Sequence, residues 1–103
     1  MFCFLLTMIK EHVEVEFEGD LDIDGTEVVI DELIPSLESF SSVKLNLKDV
    51  PFVDSSGIGL LLDLVKTMQE KGAEVTISNV RQEVMEVFEL LQIQEIIGEE
   101  IFV

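Results

Sequence analysis

At 103 residues, with 48% apolar side chains, the chain has the length and composition of one globular domain, and residues 1–103 are read as a single unit with one core. Six lysines and arginines stand against 22 aspartates and glutamates, a formal net charge of −16, and no lysine or arginine occurs between Glu11 and Val43. Duplex nucleic acid and anionic membranes both draw affinity from cationic groups, so neither is an expected partner. The acidity serves either solubility or steering toward a basic protein face.

Cys3 is the only cysteine, which excludes an intrachain disulfide and a cysteine zinc site and is compatible with a reducing cytoplasm, the expected location. The opening run from Met1 to Ile9 is apolar but lacks a basic start and is too short to span a bilayer. It is read as a first strand. Its lack of alternation predicts burial on both faces, or a start codon set upstream of the domain edge. His12 to Glu18 alternates, with Val13, Val15 and Phe17 inward and glutamates outward, as a half-exposed strand does. Gly19 ends it.

The following loop, Asp20-Leu21-Asp22-Ile23-Asp24-Gly25 with Asp31, nearly spells a calcium loop. The twelfth position holds Asp31 where a bidentate glutamate is needed, the eighth holds Glu27, and a strand replaces the entering helix. A capping loop before a helix is the plainer reading. Val29, Leu33, Leu37 and Phe40 then share one stripe between Thr26 and Phe40, with Asp24 as N-cap and Glu27 as its third-position partner. Pro35 removes a backbone donor and should kink or divide this first helix near Ile34.

Val43 to Leu47 alternates as a strand, and Ile58, Leu61, Leu62, Val65 and Met68 recur at helical spacing up to Lys71, where Gly72 suits the left-handed position after a helix. Glu74 to Ser78 is the next strand. Strand, helix, strand in this order predicts a right-handed parallel crossover, which sets the turn at Asp54 on the carboxyl edge of the sheet, where open α/β sheets usually bind ligands and partners. From Arg81 a third helix presents Val84, Val87, Phe88 and Leu91 on its apolar face. Ile96, Ile97, Ile101 and Phe102 close the chain as a short strand or a docked tail.

The turn Val53-Asp54-Ser55-Ser56-Gly57-Ile58-Gly59 carries the chemistry. Asp54 is a natural N-cap, leaving Ser55 and Ser56 in a first turn whose free N–H groups and dipole favour an anion. Serine catalysis is not expected: His12 is the only histidine and reads as a surface residue, no Gly-x-Ser-x-Gly elbow occurs, and no lysine follows either serine by three. Nor does the turn have the lysine or glycine span of a phosphate-binding loop. The glycine pair is expected to let the helix pack closely on the sheet, Gly59 above all, and Gly57 serves phosphorylation as well, since an absent side chain lets a kinase approach Ser56. On their own the two hydroxyls fit either helix capping or phosphoryl acceptance.

Asp54-Ser55-Ser56-Gly57-Ile58-Gly59, preceded by Leu45-Asn46-Leu47 and followed by Lys71-Gly72-Ala73-Glu74-Val75, resembles the STAS domain of bacterial anti-sigma factor antagonists. The likeness extends to Gly19-Asp20-Leu21-Asp22 upstream and Val84 to Leu91 downstream, covering about residues 11 to 97. The resemblance implies an α/β fold with a mixed sheet of four to five strands and helices mainly on one face. It implies a partner switch, not an enzyme, with no cofactor. The unmodified domain would bind an anti-sigma factor with serine kinase activity, and Mg-ATP-dependent phosphorylation of Ser56 would end that association until a phosphatase restores the hydroxyl. Asp22, Asp54, Ser55, Gly57 and Ile58 are the implied partner-binding residues. A STAS subunit of a transporter or signalling assembly, docking by the same corner without phosphorylation, is the alternative, and a calcium-responsive loop a third.

Overall fold

The computed structural model describes residues 2–22 and 25–103. One four-stranded mixed sheet runs in the order β1 (Cys3–Ile9), β2 (His12–Glu18), β3 (Ser42–Asp49), β4 (Glu74–Ser78), with β1 antiparallel to β2 and the others parallel. A two-residue connection closes the β1–β2 hairpin, helped by the left-handed Lys10 at φ 56°. Parallel neighbours cannot be joined so tightly, so each remaining pair is bridged by a helical crossover. Between β2 and β3 stands α1, built from Val28–Leu33 and Ile34–Leu37; between β3 and β4 stands α2 (Ser55–Glu70). Two further helices, α3 (Gln82–Leu90) and α4 (Ile93–Ile97), follow β4.

Period-two alternation decides which face of the sheet is covered. Val13, Val15 and Phe17 of β2, Val43, Leu45 and Leu47 of β3, and Val75 and Ile77 of β4 are buried on one side. Onto that side α2 lays Ile58, Leu61, Leu64, Val65 and Met68, α1 lays Val29, Leu33 and Leu37, and α3 lays Val84 and Phe88. Burying a side chain of this kind contributes about 1.5–3 kcal/mol, which makes this layer the dominant stabilising feature. The opposite face keeps His12, Glu18 and Lys44 in solvent and Glu14 and Glu16 half-exposed. There, Asn46 donates from Nδ2 to a Glu14 carboxylate oxygen at 3.0 Å and accepts the Lys48 N–H at 3.0 Å, which satisfies its buried amide.

Three local expectations need correction or refinement. Far from being buried on both faces, β1 leaves Leu5, Met8 and Ile9 each at least 59% exposed: Leu5 and Ile9 lie opposite Glu16 and His12 on the face that no helix covers, and Met8, on the helix side, is bared because β1 is an edge strand with β2 on one side only. The first helix does divide at Pro35, in a way periodicity does not anticipate: Val28–Leu33 is π-helical, the Ile34 N–H reaches back to the Val29 carbonyl, and α geometry resumes only over Ile34–Leu37. Proline offers no N–H to the residue four before it and its ring crowds that carbonyl, here Asp31, so the preceding turn widens. The proposed cap at Asp24 lies outside the described residues. The chain's end is neither a plain strand nor a plain tail: α4 and a 3₁₀ turn, Glu99–Ile101, lead to Phe102, which bridges Ile77 in parallel while the Val103 N–H donates to the Ile77 carbonyl at 3.0 Å. That contact covers the free edge of β4.

The C-terminus of α2 follows its sequence signal. Gly72, at φ +89°, lets its N–H reach the Gln69 carbonyl and the Ala73 N–H reach the Met68 carbonyl, both at 3.0 Å, a complete Schellman turn that points the chain into β4.

Candidate functional site

Beyond Asp49 the β3 chain turns through Pro51 and Phe52, and beyond Glu18 the β2 chain passes Gly19. The two extensions stay paired. The Gly19 N–H donates to the Asp49 carbonyl at 3.0 Å, the Leu21 N–H to the Phe52 carbonyl at 2.9 Å, and the Asp54 N–H to the Leu21 carbonyl at 3.4 Å, with Leu21 and Val53 bridged in parallel. This extra rung brings the loop after β2, and Asp22 with it, alongside the turn into α2.

At that turn Asp54 is extended, at φ −104° and ψ −178°, and caps the helix: its Oδ1 accepts the Gly57 N–H at 2.8 Å and its carbonyl accepts the Ile58 N–H at 2.9 Å. Ser55 and Ser56 occupy the first two helical positions, where helix geometry gives their N–H groups no intrahelical acceptor, and both side chains are exposed. A solvent-facing hydroxyl therefore sits at the positive end of a 16-residue helix. Chemically, the place can bear an added anion without rearranging the helix. Removing the cap tests this geometry: Asp54→Ala should cost about 1 kcal/mol in urea unfolding, whereas Asp54→Asn, which keeps an accepting oxygen, should cost little.

The structure separates the remaining predicted residues. Ser55 and Ser56 are on the surface, Asp54 and Asp22 are half-buried beside them, but Gly57 is buried and Ile58 is only 4% exposed. The expectation that Ile58 and Gly57 present themselves to a partner is corrected accordingly: both support the corner from beneath. The two glycines differ in what surrounds them, and the packing expected of Gly59 belongs to Gly57. A Cβ on Gly57 would lie 1.8 Å from the Leu21 carbonyl oxygen, so the helix resting on the β2 extension requires the bare residue there. Gly59, expected to pack on the sheet, is exposed with nothing within 4 Å of a Cβ. Sequence reading also missed Phe52, which is 50% exposed at the mouth of the corner. Its signal was an aromatic residue outside any alternating run.

In the acidic loop the Gly25 N–H closes a turn on the Asp22 carbonyl at 3.1 Å. Asp31, the twelfth position of the calcium pattern, is exposed on the π-helical segment, and no group of three or more candidate metal ligands occurs among the described residues. His12 is exposed and lines a shallow cavity of about 240 Å³ with Thr7, Ile9, Glu14, Ser42 and Lys44, at the amino ends of β2 and β3 and so at the far end of the sheet from Ser56. Among the described residues no helix is long and apolar enough to cross a membrane.

Known proteins fit this geometry. The STAS domain family model matches residues 5–103. The anti-sigma-B factor antagonist of Bacillus subtilis (strain 168) is 25% identical over 88 residues, 85% of this chain and 81% of that protein. The anti-sigma F factor antagonist of Paenibacillus polymyxa is 33% identical over 69 residues, which is 64% of this chain but only 58% of the relative's length. Among solved structures, the anti-sigma factor antagonist SpoIIAA of Bacillus has the same fold in its unphosphorylated form, with a TM-score of 0.76 and 22% identity over 98% of this chain and 86% of that one. Its phosphorylated form gives a TM-score of 0.72 at 21% identity, over 98% and 89%. These relatives are regulatory binding proteins and not enzymes.

Proposed function

The chain belongs to the STAS domain family, and on that premise we propose that it is an anti-sigma factor antagonist whose serine corner binds a kinase-type anti-sigma factor and lets go when Ser56 is phosphorylated. The observation that carries this reading is the exposed Ser56 hydroxyl at the capped start of α2, on the carboxyl edge of the sheet, with Asp22 and Asp54 beside it. Two antagonists among the relatives, and a further antagonist of the same fold solved with and without phosphate, support it.

The switch follows from placement. Unmodified, the corner offers uncharged hydroxyls, the half-exposed ring of Phe52 and the open space over Gly59, one helical turn from Ser56, where a partner's backbone can come close. Phosphorylation adds about −1.5 to −2 units of charge at neutral pH. The helix start holds that charge intramolecularly, so the domain stays folded. The interface does not tolerate it: a dianion would be desolvated next to two carboxylates. A phosphatase acting on the released, exposed phosphoserine returns the domain to its binding form.

Incubation with the cognate kinase and Mg-ATP should add the mass of one phosphate, an addition lost in Ser56→Ala and kept in Ser55→Ala. Modification at Ser55 instead, or none at all, would sink the assignment. In the second case, loss of a partner through corner substitutions would mark a STAS docking subunit without phosphoryl control.

A further inference from the structure

A four-stranded sheet has two edges, and this fold treats them differently. The edge of β4 is covered by the Phe102 bridge and the Val103 N–H bond to Ile77. The edge of β1 is bare: its seven residues pair with β2 on one side, and among the described residues no backbone bond reaches the other. Exposed edges are normally blunted by charge, proline or a bulge. Here β1 reads Cys-Phe-Leu-Leu-Thr-Met-Ile, with no charge, proline or glycine, and its register against β2 runs unbroken from Cys3↔Glu18 to Ile9↔His12. Leu5 is 62%, Met8 59% and Ile9 66% exposed.

We propose that β1 pairs antiparallel with β1 of a second copy about a two-fold axis at Leu6, giving a continuous sheet across a homodimer. The occupant follows from the strand itself. Antiparallel pairing centred on Leu6 sets Cys3 opposite Ile9, Phe4 opposite Met8, Leu5 opposite Thr7 and Leu6 opposite its own copy, a self-complementary arrangement of the kind two-fold symmetry requires. Phe4, Leu6 and Met8 of both copies then share the helix-side face, which covers Met8. Along this strand local charge permits the same choice. In a chain of net charge −16, β1 is the strand along which a copy can approach without carboxylate meeting carboxylate, since Glu14, Glu16 and Glu18 lie one strand further back. The two serine corners, reached from β3 and separated from β1 by β2, stay free.

Long-range repulsion between two acidic copies makes the association strengthen as salt is raised, opposite to a contact steered by unlike charges. Sedimentation equilibrium of the full chain should therefore show a shift from 11.6 kDa toward twice that mass, more complete in ~0.5 M than in ~0.05 M NaCl. The double variant Leu5→Lys with Thr7→Lys sets its lysines beside Glu16 and Glu14 within the chain but against each other across the axis. At a concentration low enough that the parent is monomeric it should melt as the parent does, and it should dimerise at least about tenfold more weakly. Leu6→Cys in a Cys3→Ser background should form an interchain disulfide under mild oxidation. A monomer at all concentrations up to ~1 mM in the higher salt overturns the proposal and leaves the edge to an extended segment of a different protein, and a dimer indifferent to the lysine pair overturns it too. Ser56→Ala should dimerise as the parent does, so this result and that of the phosphorylation assay stand apart.

Discussion

Gly57→Ala should lower stability by about 3 kcal/mol and the melting temperature by on the order of 10–20 °C, a loss out of proportion to one methyl group. The added carbon would meet the Leu21 carbonyl oxygen at 1.8 Å and its carbon at 2.6 Å, and both are backbone atoms that cannot rotate away. Relief requires α2 to lift from the β2 extension. That movement would stretch the bonds from the Asp54 N–H to Leu21 and from the Leu21 N–H to Phe52, which fix the corner. Gly59→Ala is the matched control: with open space around its Cβ, helix propensity alone should raise stability by up to about 1 kcal/mol. Thermal melts of the two variants, side by side, should move in opposite directions. Equal destabilisation would mean that α2 does not lie on Leu21 as described.

The glycine pair also marks where sequence stops being informative. The corner itself was legible because capping, strand alternation and helical spacing are local: Asp54, Ser55 and Ser56 are where these patterns place them. Gly72 likewise sits where a helix stop signal says it should. What Gly57 and Gly59 each face depends on the rung between Leu21 and Val53, a contact across the sheet with no local signature. Ile58 went astray for a related reason: its place in the motif suggested a partner contact, while its phase on the helix, shared with Leu61 and Val65, puts it in the core. The exposure of β1 was illegible for the opposite reason, because an apolar strand without alternation normally signals two covered faces and nothing in it reports that it is an edge. The π-helical turn before Pro35 lay between these cases: the proline announces a disturbance, and only the surrounding packing of Val29 and Leu33 decides that the helix widens instead of ending.

Ser56→Asp should weaken binding of the anti-sigma partner about tenfold, and full phosphorylation up to about a thousandfold, equivalent to roughly 1.4 and 4 kcal/mol. The order follows from charge, since aspartate brings one negative unit and phosphate nearly two. Folding should respond the other way. An acid in the first turn of α2 meets the positive helix end and is worth about 0.3–1 kcal/mol in favour of the folded state, so the Ser56→Asp protein should melt at or slightly above the parent. Ser56→Asn has nearly the shape of the aspartate without its charge and should keep most of the affinity. Raising ionic strength should narrow the gap between Asn and Asp, because the repulsion from Asp22 and Asp54 is screened while steric effects are not. If Asn and Asp lose affinity equally, the corner rejects bulk and the electrostatic switch fails. If both bind as the parent does, Ser56 lies outside the interface altogether.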